Sequence, residues 1–134
     1  MKRYANAALA YALTAMAGGV FYREFTKLNG FTGKTTLSVL HTHYFLLGMV
    51  FFLLLLLLEK SFRFSGEGPV RGLALYHVGL NITGAGLFVR GILQVLNIPL
   101  SSALNASLSG ISGIGHALLG IGMVLLLLRI RKHV

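Results

Sequence analysis

A chain of 134 residues with 55% hydrophobic content, no cysteine and only three acidic residues reads as a membrane protein and narrows the site chemistry at once. Without thiols there is no disulfide framework and no thiolate metal site, and with Glu24, Glu59 and Glu67 as its carboxylates, metal cages and paired-carboxylate catalysis are nearly excluded. The net charge of +9 would suggest nucleic acid in a soluble protein, but Lys and Arg gather here at the ends of apolar runs, so a bilayer and not nucleic acid is the expected partner.

Four apolar runs, residues 4–22, 37–58, 72–95 and 103–128, are long enough, or nearly so, to cross a hydrocarbon core about 30 Å thick. No soluble domain separates them. The expected fold is therefore all-α, a single four-span transmembrane domain over residues 1–134 built as a four-helix bundle. Nothing resembles a cleaved signal peptide. Lys2 and Arg3, then Lys60, Arg63 and Arg71, then Arg129, Arg131 and Lys132 fall on one side, against Arg23, Lys27 and Lys34 on the other. The positive-inside rule then predicts that both termini are cytoplasmic.

The first run carries small residues and tyrosines (Ala8, Tyr11, Ala15, Gly18, Gly19, Tyr22) and ends on the opposite-charge pair Arg23-Glu24. Gly30-Phe31-Thr32-Gly33-Lys34-Thr35 has a superficial likeness to a phosphate-binding loop. That motif needs a Gly five residues before the second Gly, where Leu28 stands, so the stretch is read as an ordinary outer loop.

The second run opens with Leu40-His41-Thr42-His43-Tyr44. Adjacent helical residues are rotated by roughly 100°, so His41 and His43 point to nearly opposite faces. A titratable ring in hydrocarbon is costly, which makes an intramembrane His a functional candidate. The plainer reading is that each His hydrogen-bonds a neighbouring helix. Downstream, Phe51-Phe52 and the leucines from Leu53 to Leu58 have no polar side, the pattern of a lipid-facing half-helix.

In the third run Gly79, Thr83, Gly86, Arg90 and Gln94 form one small-and-polar stripe. Small residues let another helix, or a flat ligand, approach the backbone closely. Asn97-Ile98-Pro99 ends this helix. The fourth run surrounds His116 with Ser109, Ser112, Gly113, Gly120 and Gly122.

With about 1.5 Å of rise per residue from each cytoplasmic end, His116 lies about 18 Å deep, His43 about 22 Å, His41 about 25 Å and Arg90 about 27 Å. These four share the outer half of the membrane. His77, about 7 Å from the inner boundary, is expected at the interface, and His133 in the solvated tail. Imidazole alone suits zinc, copper or haem iron. A bare dication would need an anion, and Glu24 is the one carboxylate that comes near this depth. Haem b fits better: its iron takes two His on opposite ring faces, and its propionates need a cation such as Arg90. With no Cys-x-x-Cys-His, the haem would be held without covalent bonds.

Two resemblances add to this. Gly19 to Lys27, Leu40-His41-Thr42-His43 with Gly48-Met49, Glu59-Lys60, Arg90-Gly91 and Ser109 to Gly113 resemble a family of small bacterial four-span membrane proteins of unknown function. That likeness implies the bacterial inner membrane. Leu40-His41-Thr42-His43 with Leu47-Gly48 is also similar to the haem-ligating helices of the haem-copper oxidase catalytic subunit, cbb3 type. There, one His-x-His helix serves two haems on opposite faces, and three four-helix arcs make the subunit. The resemblance implies that three copies of this chain would assemble as a homotrimer. It favours His41 of one chain pairing with His43 of its neighbour over either of them pairing with His116 within one protomer. The chain departs from the oxidases in having no His-Tyr pair, no third His for copper and no carboxylate-lined channel, so proton-pumping oxygen reduction is not expected. The expectation is a homo-oligomeric b-type haem protein for electron transfer or haem handling, its redox partner undefined. The alternatives are a haem-free transporter or channel with a His/Arg-lined path, or a structural membrane subunit.

Overall fold

Each apolar run folds as a helix. The computed structural model describes residues 1–66 and 70–134; Glu67 lies outside the described residues, and so does the side chain of Arg71. Helix α1 is Lys2–Leu28. A second rod joins α2 (Leu37–His43), a π-helix (Tyr44–Val50) and α3 (Phe51–Phe62) end to end, followed by α4 (Arg71–Val95) and α5 (Ser102–Arg131). Among the described residues there is no strand.

By length and composition, three helices are apolar enough to cross a membrane: Leu37–Phe62, Gly72–Val95 and Ser102–Arg131. The four spans expected from sequence thus reduce to three that qualify. Helix α1 is long enough, but it is built largely from alanine, glycine and tyrosine, which contribute little hydropathy, and charged residues stand at both of its ends.

Helix α1 buries Tyr4, Ala8, Tyr11 and Ala15, at steps of four and three, against the second rod. The approach is close at Gly48, where an added Cβ would lie 2.6 Å from Tyr11 Cβ. On the other side of the molecule α4 packs along α5. Here the stripe of the third run meets its partner. A Cβ at Gly79 would sit 2.2 Å from the Leu119 backbone nitrogen, and one at Gly115 would sit 2.8 Å from that of Thr83. Gly86 faces Ser112 in the same way. Of the two readings of that stripe, close helix packing is what the structure contains.

The two helix pairs are joined at the end remote from the amino terminus by the start of α2 and by α4. Thr36 Oγ1 donates to the Leu87 carbonyl (2.7 Å), Thr35 Oγ1 to that of Gly91 (3.0 Å), and the Thr36 N–H to Gln94 Oε1 (2.8 Å). At the other end Arg3 donates to Ser65 Oγ, while Arg129 donates to the Phe64 carbonyl (2.8 Å) and to that of Ser65. The amino end, the second connection and the tail therefore meet, the same three segments that charge assigned to one side. Asn97, at φ 51°, turns the chain after α4 in the left-handed region that Asn tolerates. Ser101 Oγ accepts the Leu104 N–H and caps α5.

Candidate functional site

His41 and His43 occupy the last turn of α2, immediately before the π-helix, and they do diverge. His41 leans on α1, where its Cβ and Cγ stand 3.7 Å from the position a Cβ would take on Gly19. Its Nδ1 is buried and has no hydrogen-bond partner among the described residues. His43 faces the other way, towards His116 of α5, with the ring centroids 6.4 Å apart and the ring planes at 89°. Helices α2 and α5 otherwise hardly touch, so these two rings bridge a gap between them.

The nitrogens of this pair are differentiated. His43 Nδ1 lies 2.8 Å from the Val39 carbonyl and His116 Nδ1 lies 2.9 Å from that of Ser112, each one turn back on its own helix. A carbonyl can only accept, so Nδ1 carries the proton in both rings and the lone pair resides on Nε2, directed away from the parent helix. This is the arrangement by which proteins orient metal-binding imidazoles. His133 makes the same local bond to Arg129, so the bond alone marks nothing. What distinguishes His43 and His116 is that two such rings confront one another.

Around His116 the α5 surface is bare. Nothing lies within 4 Å of an added Cβ at Gly113 or Gly120, one turn to either side, in contrast to Gly115 and Gly122, which are pressed on α4. Arg90 reaches across from α4 to the same helix, donating through Nη2 to Ser109 Oγ (2.8 Å). Ser109 precedes His116 by two turns, about 10 Å along the helix. Among the described residues no carboxylate forms an ion pair with Arg90, and no group of three or more His or carboxylates is gathered to hold a metal ion.

A family model described as a protein of unknown function, DUF2871, matches residues 1–133. The chain belongs to the DUF2871 family. No curated protein and no solved structure matches it.

This DUF2871 chain also contains a polar cluster that its sequence pattern did not single out. His77, expected at the interface from its depth, packs inward, stacked on Phe52 (4.6 Å between centroids) and on Tyr11 (5.6 Å). Tyr11 Oη lies 2.6 Å from His77 Nδ1 and accepts from Asn81 Nδ2 at 3.1 Å. Asn81 Nδ2 donates as well to the His77 carbonyl (2.8 Å), which fixes the orientation of the amide. Its Oδ1 then faces the Tyr44 hydroxyl, next in sequence to His43, at 3.4 Å. The available signal was the one-turn spacing of His77 and Asn81; the partner on α1 has no local signature.

Proposed function

We propose that this chain is a membrane protein that binds one b-type haem between His43 and His116 of the same protomer, with a role in electron transfer or haem handling. The observation that carries the proposal is the confrontation of these two rings, each with Nδ1 tied back and Nε2 free. With metal–imidazole bonds of about 2 Å, two imidazoles on opposite sides of one ion stand about 6 Å apart centre to centre, against the 6.4 Å found here. Ordinary ring pairs reach the same distance, so it is the disposition of the nitrogens that adds the argument. Two imidazoles make a poor site for a bare ion, whereas a porphyrin supplies the remaining ligands.

The residues present suit that group. The bare backbone at Gly113 and Gly120 leaves room for a flat macrocycle beside His116. Arg90 offers donors to a propionate on the outer side. Bound haem would supply one-electron chemistry at iron. The chain's own contribution is to fix the imidazole tautomers, to hold the rings on two helices and to set a cation at the acidic edge. The likeness of Leu40-His41-Thr42-His43 to an oxidase haem helix supports the same reading from sequence.

Four spans in the bacterial inner membrane with both termini inside accord with the grouping of basic residues at one end. An activity reporter fused after Val134 should work only when it is of the cytoplasmic type; periplasmic activity would reverse the topology. The deciding measurement for the cofactor is the absorption spectrum of protein purified from haem-replete cells. A Soret band with sharp reduced α and β bands is expected, and a colourless protein would remove the reading. Arg90→Ala should weaken haem retention about tenfold or more, and Arg90→Lys less, because a guanidinium fork binds a carboxylate in two places and carries charge-assisted bonds. Equal retention in the two variants would show that Arg90 serves only Ser109.

A second reading is the intersubunit pairing that the oxidase resemblance implies. Half-buried His41, through Nε2, and His43 of a neighbouring copy would then hold one haem per interface in a closed trimer. Mixing His41→Ala and His43→Ala chains would then restore a low-spin spectrum that neither chain shows alone.

A further inference from the structure

Between α1 and α4, beside Leu40 and Tyr44 of the second rod, there is a slot with a volume of about 600 Å³. Its walls are small on both sides, with Gly18 on α1 and Ala85 on α4, while Gly84 is covered by the Tyr44 ring and hydroxyl. Phe21 and Phe88, 5.2 Å apart, close one end. Tyr44 and Asn81 line the other. Among the described residues no charged side chain lines the slot, which suits a neutral ligand.

The polar end is specific. Asn81 commits Nδ2 to Tyr11 and to the His77 carbonyl, which leaves Oδ1 as its acceptor, met only by the distant Tyr44 hydroxyl. The Tyr44 residue is buried, and its hydroxyl reaches Oδ1 only at 3.4 Å, well beyond the usual O–H···O separation of about 2.7–2.8 Å. The pair thus presents one donor and one acceptor, poorly satisfied by each other. A ligand oxygen between them would take a hydrogen from Tyr44 and, if it is a hydroxyl, give one to Asn81.

We propose that this slot binds a lipid-soluble quinone or quinol. A neutral planar ring fits between walls of glycine and alanine, its faces and edges meet the Phe21–Phe88 pair, and its oxygen engages Tyr44 in the oxidised form and both Tyr44 and Asn81 in the reduced form. An acyl chain would fill the volume and leave both polar groups unmet. The inference uses the membrane part of the reading above and not its haem.

The test uses the full chain in phosphatidylcholine nanodiscs titrated with decylubiquinone, with retained quinone extracted and quantified against empty discs. Retention above the empty discs should saturate at about one quinone per chain. Gly18→Leu and Ala85→Leu fill the slot and should each lower that excess at least tenfold. The first new Cβ meets only Leu40, at 3.5 Å, so helical content should be unchanged. Loss of one neutral hydrogen bond in Tyr44→Phe should weaken binding by roughly tenfold. Retention no greater than in empty discs, retention unaffected by both filling variants, or equal competition by dodecanol would each overturn the assignment; the last would make the slot an acyl-chain cleft. The Soret band of the same samples separates the two readings, because a chain that binds quinone without haem keeps this inference and loses the other.

Discussion

Haem-loaded His43→Ala and His116→Ala chains should each lose the low-spin spectrum and most of their haem, while His41→Ala keeps both. Changes to groups that merely orient a metal-bound imidazole commonly cost ten- to a hundredfold in metal affinity, and deleting the imidazole itself should cost at least about a hundredfold. Under the proposed ligation the two positions fail together, because each ring would hold one side of the same iron. His116 is exposed beside open glycine backbone, so added imidazole should enter the vacated place in His116→Ala and restore part of the spectrum. That rescue separates a lost ligand from a lost fold. If His116→Ala is spectrally silent while His41→Ala bleaches the protein, the haem lies between protomers and the second reading is correct.

The largest effect on the fold is expected at Gly79. A side chain there has no direction in which to yield, because the atoms it meets are the Leu119 backbone and the Gly115 carbonyl and not the end of a flexible side chain. Gly79→Leu must therefore push α4 off α5, and overpacking of that kind costs about 3 kcal/mol or more. Thermal unfolding in detergent, followed by the helical signal, should show a lowered midpoint. Gly113→Ala supplies the contrast. Its Cβ meets nothing, and replacing a helical glycine by alanine favours the helix by about 0.5–1 kcal/mol. A Gly79→Leu chain as stable as wild type would mean that α4 and α5 are not in backbone contact.

How much of this was readable in the chain depends on the range of the interaction. Hydropathy and breakers such as Pro99 locate the four helical stretches by their own composition, although α1 runs six residues past Tyr22, through a charged turn that hydropathy does not count. The divergence of His41 and His43 follows from helical geometry alone, and the structure has it. The α4 stripe was visible as a stripe, yet whether Gly79 and Gly86 faced a ligand or another helix depended on Leu119 and Ser112, more than 25 residues downstream. The confrontation of His43 with His116 was one of several arrangements that matching depths allowed, since depth fixes height along a helix but not the neighbour it faces. The inward packing of His77 is not legible in the chain for the same reason: depth sets its height along α4, but Tyr11 and Phe52 belong to other rods. The π-helix could not have been foreseen, as an apolar run with one glycine carries no mark of five-residue hydrogen-bonded turns.

The π-helix settles how the second rod stays in register with α1. Its inward positions Leu40, Tyr44, Gly48 and Phe52 recur every fourth residue, and all four are buried. In an α-helix each step of four overshoots a full turn by about 40°, so three such steps would wind the stripe about 120° around the rod. Coiled coils absorb a lesser mismatch by changing their supercoil over several turns. Here the wider turns of Tyr44–Val50 take up the overshoot locally. Leu40, Tyr44, Gly48 and Phe52 thereby keep to one buried seam beside α1.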